Sequence, residues 1–148
     1  MTLADDIAAL RDADLFSGFS GDQLRLIAFT AERLTFADGD IVFEEGMISD
    51  GAYLVASGQL GLEAGGRQFG IAGPGSLLAE TALISALPYR LTASATEVTD
   101  VLFIQRTQFI RLIEEYPAIA AEMDHRLRKS FSDLVSALNS VKTRLADF

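Results

Sequence analysis

Apolar and polar positions change period twice along the chain. Between Leu3 and Arg11 the apolar residues fall at 3, 7 and 10, a helical spacing behind Thr2, whose hydroxyl suits an N-cap. Asp14–Phe19 reads as a connector, and Ser20 followed by Gln23 forms a capping box that opens a second short helix over about 22–31. From Arg33 to Gln105 the period shortens. β-prone runs occupy Leu34–Phe36, Ile41–Glu44, Tyr53–Ala56, Gln59–Leu62, Gln68–Ile71, Leu91–Ala95 and Val98–Gln105. Glycine-bearing corners separate them, among them 37–40, 44–51, 64–66 and 73–75. Many short strands with turn signals between them predict a sandwich or barrel. Helical spacing then returns. Thr107 is placed to cap a helix over Gln108–Tyr116 with Phe109, Leu112 and Ile113 on one side, and Pro117 opens a last helix over about 118–146.

That last helix carries Leu127, Phe131, Leu134, Leu138, Val141 and Leu145 at intervals of four and three, a heptad seam. A lid over the β region accounts for its first half. Its outer half would leave a bare apolar stripe in water, so a two-stranded parallel coiled coil, and hence a homodimer, is the expectation.

The 148 residues suffice for one domain with an appendage, divided here into 1–116 and 117–148. Charge follows the same division. Residues 1–116 hold 7 basic and 17 acidic side chains, net −10, and residues 117–148 hold 5 and 4, net +1. A body that acidic repels a polyanion, so neither nucleic acid nor an anionic membrane is an expected partner. A small anion remains compatible, because local amides outweigh distant, screened charge. No apolar run reaches the roughly 20 residues of a membrane span, and the first residues lack the form of a signal peptide, so a cytoplasmic location is expected. With no cysteine, thiolate metal sites and disulfides are excluded.

The richest segment is 73–95, GPGSLLAETALISALPYRLTASA. A glycine turn leads through an apolar run to one carboxylate, Glu80. A one-turn helix over Thr81–Ile84, a proline loop and a β segment of small residues follow. A short helix with free first amides, held between strands, can cradle an anion. The segment resembles the phosphate-binding cassette of cyclic-nucleotide-binding domains, whose pattern is roughly F-G-E-x-A-L followed by P-R-x-A. Glu80, Ala82, Leu83 and Pro88 match. Ala79 stands where that family has glycine, and Tyr89 where it has the phosphate-binding arginine. Gly39, Gly46, Gly58 and Gly75 occupy positions where the family turns, and the resemblance covers nearly the whole chain.

The resemblance implies an α+β, mainly β fold: an eight-stranded jelly-roll-like β barrel (double-stranded β-helix) with short N-terminal helices and two C-terminal helices, the last one long. It also implies a non-enzymatic regulatory module of the catabolite-activator type. The ligand, cAMP or cGMP or another small anion, would be an effector, with no cofactor and an unknown downstream protein partner. The implied ligand contacts are Leu78, Ala79, Glu80, Thr81, Ala82, Tyr89, Arg90 and Thr92, with Glu80 on a ribose hydroxyl. Glu80 equally suits the start of the short helix, where the dipole favours negative charge. Three accounts of residues 89–90 stay open. A bulge re-aims Arg90 inward, Tyr89 gives its hydroxyl to the ligand, or Tyr89 fills the pocket and the domain is a degenerate, non-binding dimeric scaffold.

Enzyme chemistry finds no support. His125 is the one histidine, which rules out a histidine-rich metal site and a Ser–His–Asp set, and it reads as a surface residue on the last helix. Such regulators continue into a helix-turn-helix. If the chain is complete at Phe148, the expectation is that it is not itself a transcription factor.

Overall fold

The computed structural model describes residues 2–126 and 128. Helix α1, Leu3–Asp12, opens on a reciprocal capping box, with the Asp5 amide donating to Thr2 Oγ1 (3.3 Å) and the Thr2 amide to the Asp5 carboxylate (2.9 Å). Ser20 and Gln23 do the same for α2, Gly21–Thr30. A single 3-10 turn, Asp14–Phe16, lies between them.

Eight strands follow among the described residues: β1 Glu32–Phe36, β2 Ile41–Phe43, β3 Gly51–Ser57, β4 Leu60–Ala64, β5 Arg67–Ala72, β6 Leu77–Leu78, β7 Thr92–Ala95 and β8 Thr99–Gln105. All strand pairs are antiparallel. They form two four-stranded sheets, β1-β8-β3-β6 and β2-β7-β4-β5. The fold is therefore α+β and mainly β, as expected. Strand β6, two residues long, is too short for an alternation signal and was not among the predicted strands.

Two cores explain the layering. The cluster between the sheets holds Phe43, Tyr53, Val55, Leu60, Ala93, Ala95 and Val101. The second covers the outer face of the first sheet, where Ala52, Leu54, Leu102 and Ile104 meet Leu10, Phe16, Leu24, Ile27 and Phe109 from the helices. Successive strand residues point to opposite faces, so β3 feeds Tyr53 and Val55 to one core and Ala52 and Leu54 to the other. Both faces are buried, and the run from Gly51 to Val55 is buried without interruption.

Helix α3 spans Arg106–Glu115 and begins ahead of the predicted Thr107 cap. Its N-cap is Gln105, which makes no side-chain cap; the Arg106 amide instead donates to the Asp50 carbonyl at 2.8 Å, so a polar cap is dispensable. A further helix, α4, runs from 117 through 126 and places Ile119 and Met123 in the helical core. All six predicted seam residues, Leu127 to Leu145, lie outside the described residues. No helix among the described residues is long and apolar enough to cross a membrane.

Candidate ligand-binding site

The segment around Glu80 bridges the two cores. Gly75 turns the chain with φ +90°, its amide donating to the Val55 carbonyl at 2.9 Å. Leu78 and Ala79 then pack on the inter-sheet cluster, and Leu83, fully buried, belongs to the helical one. Between them Glu80–Leu83 forms one turn of 3-10 helix, a residue earlier than predicted. Ala79 enters it at φ 61°, ψ 43°, the only described non-glycine residue with positive φ. Left-handed backbone costs an L-residue about 1–2 kcal/mol, which explains in physical terms why glycine suits this place.

The Ala82 and Ile84 amides donate back into the turn, to Ala79 and Thr81 carbonyls. Those of Glu80 and Thr81 have no backbone acceptor among the described residues and remain available. Glu80 is half-buried, and no hydrogen bond or ion pair from a described residue reaches its carboxylate. Desolvation, reinforced by the charge of Asp14, pushes its pKa above the ordinary carboxylate value. Thr81 is exposed and Ala82 buried.

Residues 89 and 90 part company. Tyr89 turns inward with 6% of its surface exposed, stacking on Phe43 (ring centroids 4.4 Å apart, 28° between planes). Phe43 stacks in turn on Tyr53, and Tyr53 on Phe103. The Tyr89 hydroxyl donates to Asp50 Oδ1 at 3.0 Å and lies 3.1 Å from the Gly51 carbonyl. Burial above all pushes this phenol far up, so it remains protonated and a donor. Backbone bonds to the 44–50 loop fix the residue: its amide reaches the Met47 carbonyl and its carbonyl takes the Gly46 amide. Arg90 is exposed, with no hydrogen bond or ion pair among the described residues. Leu91 packs on the inter-sheet cluster, and Thr92 Oγ1 accepts from the Glu45 amide at 3.0 Å. Leu78, Ala79, Glu80, Thr81 and Ala82 are thus contiguous on one turn, whereas Tyr89 and Thr92 are engaged with the 44–50 loop.

Sequence reasoning missed Arg106. Its guanidinium donates to the carbonyls of Ala82 (3.2 Å) and Ser85 (3.3 Å) and to Ser49 Oγ (3.4 Å). The short helix, the 44–50 loop and the first residue of α3 are joined by this one side chain. Its signal in the sequence is an isolated arginine at a strand–helix junction, which periodicity does not mark.

This geometry has counterparts. Residues 33–116 match the cyclic nucleotide-binding domain family. The chain belongs to that family. Over 134 residues this cyclic nucleotide-binding domain is 29% identical to the cyclic AMP receptor protein of Thermus thermophilus, covering 84% of the chain and 62% of the relative. It is 28% identical to the HTH-type transcriptional regulator Cmr of Mycobacterium tuberculosis over 84% of the chain and 50% of the relative. The chain therefore spans half to three-fifths of the length of these curated relatives. Among solved structures, a cyclic nucleotide-binding-like protein from Brucella abortus shares 38% identity at TM-score 0.68, over 74% of this chain and 98% of that one. The N-terminal domain of a transcriptional regulator from Streptomyces coelicolor superposes at TM-score 0.82 with 23% identity, over 87% and 96%. That last likeness is one of fold.

Proposed function

We infer that the domain is a regulatory, non-catalytic module that holds a cyclic nucleotide, cAMP or cGMP, at the turn 78–82. The observation that carries this reading is Glu80: a half-buried carboxylate with no partner among the described residues, beside two amides with no backbone acceptor. A ribose hydroxyl would satisfy the carboxylate, and the amides of Glu80 and Thr81 suit a phosphate oxygen. Family membership and the cyclic AMP receptor relative support the same ligand class.

Signalling would run through the helices after residue 106. Arg106 ties the turn to α3, so a ligand that prefers one position of the turn shifts the population of helix positions by its differential affinity. In this reading residues 1–116 bind, and residues 117–148 pair two copies through the Leu127–Leu145 seam in the cytoplasm. The sheets would close as a jelly-roll-like barrel around the inter-sheet core. Leu134→Glu with Leu138→Glu in the full chain should turn a dimer into a monomer in sedimentation; an unchanged dimer would move the interface elsewhere.

A second reading has its own observation. Tyr89 and Phe43 fill the space between the sheets and Arg90 points out, as expected of a degenerate domain that serves as a dimeric scaffold. Calorimetric titration of cAMP and cGMP separates the two. Saturable binding abolished by Glu80→Ala supports the sensor, and absence of binding at millimolar nucleotide supports the scaffold.

A further inference from the structure

The turn 78–82 offers a ligand an acceptor and neutral donors, but no described residue brings it a free positive charge. The place that arginine holds in the cassette pattern is taken by Tyr89, buried in the ring stack with its hydroxyl given to Asp50. Arg90 lies at the surface. Arg106 reaches the turn only at its carbonyl side, where Nη1 is shared among the Ala82 and Ser85 carbonyls and Ser49 Oγ. The surroundings of Glu80 are acidic instead. Asp14, the one charge among the described residues that acts on its carboxyl, has the same sign. Asp12 stands against the loop that leads into the turn: a Cβ added to Gly75 would lie 3.1 Å from Asp12 Cβ.

We propose that this site takes the neutral cis-diol of a ribonucleoside and gains nothing from a phosphate, so that an uncharged nucleoside is at least as good a ligand as the cyclic nucleotide. The proposal rests on the reading of 78–82 as the binding turn and narrows what binds there. Charge and donor count decide the class. A cyclic phosphodiester carries one negative charge at neutral pH. At this turn it would face Glu80, with Asp12 and Asp14 nearby and no counter-ion among the described residues, and like charges disfavour one another's ionised form. Its 3′ oxygen is also esterified, which leaves one ribose hydroxyl for Glu80. A nucleoside has both, side by side, for a carboxylate whose two oxygens only accept. Hydrogen bonds to an ionised acceptor are the stronger ones, and a half-buried carboxylate without a described partner gains most from them. The amides of Glu80 and Thr81 do not call for an anion, because a hydroxyl or ring oxygen accepts from them as well.

The test is calorimetric titration of the full chain with adenosine, 2′-deoxyadenosine and cAMP, alongside guanosine and cGMP. The better nucleoside is expected to bind as tightly as its cyclic nucleotide or up to about tenfold more tightly, and the 2′-deoxynucleoside, which lacks the diol, about tenfold more weakly than adenosine. Glu80→Gln should weaken the nucleoside more than the cyclic nucleotide, since it takes the charged acceptor from both and relieves the repulsion of only one. A cyclic nucleotide that binds more than about tenfold tighter than its nucleoside would overturn the proposal and leave the cyclic-nucleotide reading standing. Nucleoside binding without cyclic-nucleotide binding would do the reverse. Equal binding of the 2′-deoxynucleoside, or a nucleoside affinity untouched by Glu80→Gln, would overturn the proposal, and no binding by any of these compounds would end both readings.

Discussion

The guanidinium of Arg106 donates to the carbonyl of Ala82 across 24 residues of sequence, at 3.2 Å. With the bonds to Ser85 and Ser49 it makes the first residue of α3 the clasp of the candidate binding turn. Arg106→Met keeps most of the side-chain bulk and removes the donors. Hydrogen bonds from a charged group contribute about 1.5–3 kcal/mol, partly offset here by solvent at a half-buried position, so a loss of about 1–2 kcal/mol is expected in denaturant unfolding. The local signature is more telling than the global one. Amides of residues 82–86 should exchange faster in the variant, and those of β3 should not. Equal protection in both segments would mean that Arg106 only fills space.

Tyr89 separates packing from hydrogen bonding. Tyr89→Phe removes the donor to Asp50 and Gly51 but keeps the stack on Phe43, and Asp50 can turn to water, so about 1 kcal/mol is expected to be lost. Tyr89→Ala opens a void between the sheets and should cost about 3–5 kcal/mol. Thermal or denaturant midpoints of the two variants check the ratio. Similar losses would place the stability in the hydroxyl rather than in the ring.

Local chemistry made much of the fold legible in advance. Thr2 with Asp5 and Ser20 with Gln23 sit three residues apart, and a capping box needs nothing from the rest of the chain. The strand runs showed because glycine corners such as Gly58 bound them, and at Gly58, with φ +87°, a Cβ would stand 2.6 Å from the Val98 carbonyl. Strand β6 and the role of Arg106 did not show. The first has two residues and no period; the second exists only because chain reversals bring residues 49, 82, 85 and 106 to one place. The start of α3 was misplaced for the same reason, since its first amide is satisfied by Asp50 from a distant loop.

Ala79→Gly should stabilise the domain. Alanine at φ 61° carries the left-handed cost, about 1–2 kcal/mol, which glycine avoids, while the freer glycine chain gives back roughly 0.5–1 kcal/mol on unfolding. The net expectation is a gain of about 0.5–1 kcal/mol in unfolding free energy. Ala79→Val at the same place should lose stability, because a β-branched side chain fits this backbone worst. A gain with valine would show that the positive φ is not what this position demands.

Glu80 links stability to pH with a definite sign. Its folded pKa lies above the ordinary value of 4.5, through desolvation first and the Asp14 charge second. The folded state therefore binds more protons than the unfolded chain in the window just above that value. The contribution of Glu80 is fully present below pH 4.5 and is lost as pH rises through the folded pKa, so ionised Glu80 weakens the fold at neutral pH. Glu80→Gln removes the charge and keeps the shape. Its unfolding midpoint should exceed that of the parent chain at pH 7 and converge on it below the ordinary carboxylate range, as read from denaturant curves along a pH series. If Glu80 is the ribose acceptor, the same variant should bind cyclic nucleotide more weakly, because an amide is a poorer acceptor than a carboxylate. A side chain whose replacement raises stability and lowers affinity is held in place by binding. A variant less stable at neutral pH would instead make Glu80 a structural anchor of the short helix, and its carboxylate would no longer argue for a ligand.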